Sequence, residues 1–172
     1  MESFRKKKHN EEKVPSLKNR LLNGQISLEE FRDILFKRDQ SDLTRKASLE
    51  NLRILTDPEV VQFLQRNLED KREYYRFLSL TEVHIAQILY QRGEEDEGFS
   101  HFNRALSYAR EAKMDESWVA YLEGTLAYLE GKEIPKEVIE KVTEPRNKEI
   151  LIHFNEGLKE RGRPSYFEDY NR

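Results

Sequence analysis

The sequence contains no cysteine among its 172 residues. It therefore has no disulfide, no thiolate metal site and no cysteine nucleophile, and it suits a reducing cytoplasm, where we expect the protein to reside. Glycine and proline are also scarce, with 7 and 5 residues, and most of them lie where helices are expected to begin or end. A sheet protein of this length normally needs more turn residues, so the sequence predicts an all-α fold.

Long apolar runs are missing as well. No stretch reaches the roughly 20 residues that cross a bilayer, and no apolar segment follows the basic N-terminus, so we expect neither a membrane span nor a signal peptide. Hydrophobic residues make up 37% of the chain and charged residues another 37%. The hydrophobic residues recur at steps of three and four from Leu17 to Phe167, a spacing typical of amphipathic helices.

The residue patterns of common catalytic and metal sites are absent. The sequence has no HExxH, no glycine-rich phosphate loop and no G-x-S-x-G. His84 and His101 can meet within one helical hairpin, but two histidines alone leave a metal ion short of ligands. Most acidic residues alternate with Lys and Arg, as they do on solvated helix faces. We therefore expect no catalytic residue, no cofactor and no metal site, and a protein that is not an enzyme.

The net charge of -3 is not that of a dedicated nucleic-acid binder, but the charge is unevenly distributed. Residues 1–20 hold seven basic and three acidic side chains, which gives +4 there and -7 in the remainder. We interpret residues 1–14 as a flexible basic arm. Four of its side chains can contact phosphate or an acidic partner: Arg5, Lys6, Lys7 and Lys8.

Two regions are predicted to follow the arm. Residues 15–56 form an N-terminal helical hairpin region, in which Ser27 and Glu30 have the spacing of a capping box. A further helix is expected there from about Ser41 to Leu55. Asp57 and Pro58 then have the residue types of an N-cap and a first helical position, so we begin the second, repeat-containing domain at 57–172.

Three long helices in this second domain are predicted to end in the same way. They finish in LYQRG, YLEGK and LKERG, and their glycines are Gly93, Gly131 and Gly162, spaced by 38 and 31 residues. Glycine commonly follows the last helical residue because it can adopt the left-handed conformation.

The first helix pair also shows where its helices cross. Ala86, Gly98 and Ala105 are small residues that allow a close approach, and Phe102 fills the space beside them. These residues resemble the tetratricopeptide repeat, whose helix pairs recur about every 34 residues. The resemblance is good over 79–112.

The resemblance is partial over 117–143 and weak over 146–171, where Asn155 replaces a small residue. It implies antiparallel helical hairpins that stack as a short right-handed solenoid. Another array of helical hairpins is the alternative.

The same resemblance implies a concave ligand-binding face formed by the first helix of each unit. On this face it places Gln87, Tyr90, Gln91, Tyr121, Thr125, Tyr128, Ile152, Glu156 and Lys159. Tyrosine suits a binding surface because it is large, stiff and polar at one end. The alternative is that Tyr90 and Tyr128 only pack on the next unit. The Lys and Asn clamp of chaperone-binding members is not expected, because Val83 and Gln87 occupy those positions.

The sequence thus predicts a non-catalytic protein- or peptide-binding module that serves as a scaffold or adaptor. One alternative is a nucleic-acid- or ribosome-associated regulator that contacts phosphate through the basic arm. The other is a self-associating structural protein, because a short array leaves an apolar end exposed. Tyr166, Phe167 and Tyr170 are expected either to cap that end or to dock on a second copy.

Overall fold

A computed structural model describes residues 16–35, 53–67 and 70–172 of the chain. The protein divides into two compact units, Met1–Asn67 and Leu68–Arg172. The predicted basic arm lies outside the described residues, and so does the helix expected from Ser41 to Leu55 except for its last three residues.

The described part of the first unit is helical. It contains α1 (Leu17–Leu22), α2 (Leu28–Leu35), a 3-10 turn (Ile54–Thr56) and α3 (Pro58–Asn67). The capping box at the start of α2 is confirmed, because the Glu30 N–H donates to Ser27 Oγ at 3.0 Å and the Ser27 N–H donates to the Glu30 carboxylate at 3.3 Å.

Asp57 caps α3 as predicted, by accepting a hydrogen bond from the Glu59 N–H at 2.9 Å. The Lys18 ammonium on α1 lies 2.9 Å from the same carboxylate and so connects the two helices. The structure thereby groups α3 with the first unit, whereas the sequence placed it at the start of the second domain.

The second unit consists of six helices in its described residues. They are α4 (Lys71–Gln91), α5 (Glu95–Glu111), α6 (Glu116–Leu129), α7 (Lys136–Lys141), α8 (Pro145–Arg161) and α9 (Tyr166–Tyr170). Across the described stretches of both units there is no strand, which confirms the all-α prediction. No helix in those stretches is long and apolar enough to cross a membrane.

The predicted glycine stops are confirmed by the backbone. Gly93, Gly131 and Gly162 have φ values of 80°, 79° and 78°, the left-handed region that glycine enters without a Cβ clash. After α4, the Glu94 N–H then bonds the Leu89 carbonyl at 2.9 Å, which satisfies one of the last helical acceptors.

The helices of the second unit contact one another largely in chain order. Helix α5 contacts both α4 and α6, and α8 contacts α6 and α7. At the α4–α5 crossing Gly98 is buried, and a Cβ there would lie only 2.6 Å from the Tyr90 ring. Ala86 and Phe102 are fully buried beside it, so the small residues do allow the close approach expected from the sequence.

Asn155 has a structural role in the position where the repeat pattern has a small residue. Its Oδ1 accepts a hydrogen bond from the Ile134 N–H at 2.8 Å, and its Nδ2 donates to the Ile134 carbonyl at 3.1 Å. The side chain on α8 therefore satisfies both backbone groups of one residue in the connection between α6 and α7.

Candidate functional site

The predicted partner-binding residues on α4 are half-buried and lie close to the C-terminal helix. The centroid of the Tyr90 ring is 5.1 Å from that of Tyr166 and 5.9 Å from that of Phe102. Gln87 donates from Nε2 to the Tyr166 hydroxyl at 3.2 Å. Gln91 is also half-buried. Two of the three predicted residues on α4 therefore contact a segment of the same chain.

The predicted residues on α6 are covered. Tyr121, Thr125 and Tyr128 are 2%, 0% and 0% exposed. Thr125 Oγ1 donates to the Tyr121 carbonyl at 2.8 Å, and the Tyr128 ring stacks on Phe154 with centroids 4.2 Å apart. In this arrangement these three residues present no surface to an external partner.

The predicted residues on α8 lie in a different place. Ile152 is 41% exposed, and Glu156 and Lys159 are exposed with it. Together they line a cleft of about 450 Å³ between α8 and the chain that follows α6. The remaining lining residues are Gly131, Glu133, Ile139, Asn155, Leu158 and Gly162.

Helix α9 occupies a recess formed by aromatic side chains of α4, α5 and α8. Tyr166 is 4% exposed. The centroid of its ring is 5.5 Å from that of Phe102 and 5.5 Å from that of Phe154, in addition to its contact with Tyr90. We call this recess the α9 groove, and we include in it the side chains of Tyr128 on α6 and Arg161 on α8, which also contact α9. Of the two roles expected for the C-terminal aromatics, Tyr166 here has the intramolecular one.

The carboxylate of Asp169, on α9, is the polar centre of the contact between α9 and its groove. Its side chain is 0% exposed and lies 2.5 Å from Arg161 Nη2 and 3.0 Å from Arg172 Nε. It also accepts a hydrogen bond from the Tyr128 hydroxyl, and that hydroxyl in turn accepts the Ser165 N–H at 2.7 Å. The buried charge is thus paired and hydrogen-bonded on both oxygens, as a buried carboxylate requires.

Gly157 on α8 makes room for this carboxylate. A Cβ at that position would overlap the Asp169 side chain, and the glycine is buried. Glycine costs a helix interior about 1 kcal/mol relative to alanine. Here the cost is offset by the close approach of Asp169.

Two further contacts hold the outer edge of α9. Arg146, in the first turn of α8, donates from Nη2 to the Tyr170 carbonyl at 3.1 Å, and its guanidinium lies 5.6 Å from the centroid of the Tyr170 ring. Arg172 Nη2 lies 2.5 Å from the Glu160 carboxylate. Both contacts therefore hold the C-terminal end of α9 against α8.

Burial and hydrogen bonding set the protonation states in the α9 groove. Burial raises the pKa of Tyr166 far above its usual value, and burial followed by the hydrogen bond to Asp169 raises the pKa of Tyr128. Burial would also raise the pKa of Asp169, but the hydrogen bonds from Arg161 and Tyr128 outweigh it and lower that pKa. The groove therefore holds neutral phenols around one ionised carboxylate.

Chemically, the groove is built to hold an aromatic ring and a carboxylate. Elsewhere in the second unit, the Glu82 carboxylate on α4 and His101 Nδ1 on α5 make a part-buried contact that the sequence did not suggest. Within residues 16–35, 53–67 and 70–172, no three His, Asp or Glu side chains are placed to hold a metal ion.

Sequence reasoning missed Gly157, Arg161 and Asp169. Two of them left signals: Gly157 interrupts a helix with no turn nearby, and Asp169 lies between the aromatic residues of a short segment. The contact of Asp169 with Gly157 and Arg161 joins two helices, so no pattern within one helix predicts it.

Comparisons with protein-family models, with curated proteins and with solved structures found no match to this chain.

Proposed function

We propose that this protein is a non-catalytic module that binds a protein or peptide in the α9 groove and serves as a scaffold or adaptor. The observation that carries the proposal is that the groove already holds a short helix, α9, through buried aromatic contacts and a paired carboxylate. A surface that binds one helical segment in this way has the features of a helix-in-groove recognition site.

A tetratricopeptide-like arrangement of the second unit is part of the same proposal. It is supported by the close α4–α5 crossing at Gly98 and by the contacts of α5 with α6 and of α6 with α8. In such an array the first helix of each pair faces the ligand. Gln87 and Tyr90 on α4 and Tyr128 on α6 contact α9 or its aromatic neighbours, in agreement with that role.

The composition of the groove favours a protein partner. Tyrosine and arginine are the residues most enriched where binding energy is concentrated, and Tyr90, Tyr128 and Arg161 all line the groove. Glu156 and Lys159 remain exposed in the cleft beside α8 and stay predicted partner residues.

A selection from a displayed library of short helical peptides tests this function directly. The bait is the full chain, as wild type and as Asp169→Ala, which weakens the hold on α9. We expect enriched peptides whose affinity falls at least tenfold for Tyr90→Ala, because that ring borders the groove.

Tyr75→Ala is the matched control, because Tyr75 lies on the same helix and stacks on Tyr108, with ring centroids 6.0 Å apart, instead of on Tyr166. Circular dichroism must show that both variants are folded. Failure to enrich any peptide, or equal loss of binding in the two tyrosine variants, would contradict the proposed function.

A further inference from the structure

Helix α9 presents two buried side chains to the groove, three residues apart. Tyr166 and Asp169 are 4% and 0% exposed, whereas Glu168 between them is exposed. Residues three apart lie on the same face of a helix. The groove thus contacts an aromatic ring at one position and a carboxylate one turn later. The intervening acid, Glu168, stays exposed and pairs with Arg161 Nη1 at 3.2 Å.

The receptor side of this contact is supplied by other helices. Tyr128 of α6 donates its hydroxyl, Arg161 of α8 supplies the guanidinium, and Gly157 of α8 leaves the space for the carboxylate. Without a carboxylate in this space, the Tyr128 hydroxyl and Arg161 Nη2 would lose the acceptor they share. A buried donor left without an acceptor costs more free energy than a typical hydrogen bond contributes. The pocket therefore selects for an acidic side chain.

Asp169 does not satisfy all the hydrogen-bond donors of Arg161. The arginine's Nη2 contacts the Asp169 carboxylate, but its Nε is buried without a hydrogen-bond partner among the described residues. A carboxylate that binds a guanidinium with both oxygens makes a stronger pair than one that uses a single nitrogen. An external helix whose carboxylate reached Nε as well as Nη2 would satisfy a donor that α9 leaves unpaired.

We propose that the partner of the α9 groove is a short helix with an aromatic residue followed three positions later by an acidic residue, and that α9 competes with it as a built-in substitute ligand. This inference rests on the proposed function. It names the chemistry of the partner and the segment that regulates its access.

Competition in cis weakens the apparent affinity for an external helix. A segment tethered by a short connection acts at an effective concentration of about a millimolar or more. The observed dissociation constant is the intrinsic one divided by the fraction of open molecules. A substitution that weakens only the binding of α9 to its own groove must therefore increase the apparent affinity for an external helix.

The test uses fluorescence anisotropy with a labelled peptide of residues 163–172 and the full chain as receptor. We expect Asp169→Ala to bind the peptide at least tenfold more tightly than wild type, because the variant weakens the internal competitor and leaves the groove intact. Adding Gly157→Ala to that variant should abolish binding, because its Cβ occupies the carboxylate space. The same peptide carrying the Asp169→Ala change should bind at least tenfold more weakly.

A second variant guards against misfolding of Asp169→Ala. Arg172→Ala removes the contacts of the chain end with Asp169 and Glu160 but changes no residue of the groove. It should also bind the peptide more tightly than wild type does. Circular dichroism establishes that each receptor is folded.

Several outcomes would overturn the inference. One is a folded Asp169→Ala chain that does not bind the peptide more tightly than wild type. Another is a peptide affinity that is unchanged when the peptide's aspartate is replaced, or when Gly157→Ala is added to the receptor. If library peptides bind the groove but lack the aromatic–acid pattern, the proposed function stands and this inference fails. A wild-type dimer, seen by light scattering, that dissociates in Asp169→Ala would make a second copy the occupant and would also overturn it.

Discussion

At the scale of single residues, Asp169 and Gly157 form one structural unit across two helices. The carboxylate of one occupies the space that the other leaves beside the α8 backbone. Arg161 and Tyr128 then hold that carboxylate in its ionised form. Each of these residues is ordinary in sequence, and their joint effect arises only from the contact.

Gly157→Ala should lower the free energy of unfolding by about 1–3 kcal/mol, because the added methyl overpacks the contact with Asp169. The measurement is urea unfolding followed by circular dichroism. In the double variant Gly157→Ala/Asp169→Ala the clash is removed, so the double variant should be no less stable than Asp169→Ala alone. Additive losses would show that Gly157 acts independently of Asp169.

Asp169 should also make the free energy of unfolding depend on pH in the acidic range. Its folded pKa lies below the ordinary value of 3.8, so its contribution is complete above that value and is lost as the pH falls through the lower folded pKa. The groups that face it are Arg161, Arg172 and Tyr128, and Glu160 and Glu168 pair with the two arginines.

The difference in unfolding free energy between wild type and Asp169→Asn isolates this effect from the other carboxylates. It should be constant from pH 7 to about pH 5 and shrink below pH 4. A difference that stays constant down to pH 2 would contradict the lowered pKa.

At the scale of elements, α9 is a short helix that its neighbours hold in place. Five residues form too few internal hydrogen bonds for an isolated helix to persist in water. Its order therefore depends on Tyr166, on Asp169 and on the Tyr128 hydroxyl, which also accepts the Ser165 N–H at the start of the helix.

Tyr128→Phe should expose α9 while leaving the longer helices protected. The variant keeps the stacking on Phe154 but removes the hydroxyl that serves both Asp169 and Ser165. We expect hydrogen exchange in residues 165–172 to accelerate at least tenfold, which corresponds to a loss of about 1.4 kcal/mol or more. Tyr90→Phe keeps the ring contacts of Tyr90 and is the control. Equal acceleration in the two variants would rule out the Tyr128 hydroxyl as an anchor.

The crossing of α6 and α8 gives a second prediction for the elements. Gly124 on α6 is buried, and a Cβ there would lie 3.0 Å from Leu151 Cδ1 and 3.2 Å from Ile134 Cγ2. Gly124→Ala should therefore reduce stability by about 1–2 kcal/mol, measured by thermal and urea unfolding. When it is combined with Leu151→Ala, the total loss should be smaller than the sum of the two single losses. Strict additivity would indicate that the two residues do not limit the approach of the helices.

At the scale of the whole molecule, local patterns predicted more than long-range contacts did. The glycine stops, the Ser27 capping box and the close crossing at Gly98 follow from spacing within a single helix or hairpin, and the structure contains each of them. The contact between Tyr128 and Asp169 joins residues 41 apart.

The candidate site was therefore predicted only in part. The resemblance to the tetratricopeptide repeat placed Gln87 and Tyr90 on a binding face, and both border the groove. No periodicity distinguishes Asp169, which is buried, from its exposed neighbour Glu168. Their difference is set by which face of α9 meets Gly157 and Arg161, and that depends on how the chain returns after Gly162.

A distance measurement between α5 and α9 tests the central claim most directly, namely that α9 occupies a peptide site from which it can be displaced. The chain has no cysteine, so Asn103→Cys and Asn171→Cys, both at exposed positions, provide unique sites for spin labels. Electron–electron double resonance should give a short distance for the free protein and a second, longer and broader one when the 163–172 peptide is in excess. An unchanged distance distribution under conditions in which anisotropy shows the peptide bound would contradict the account.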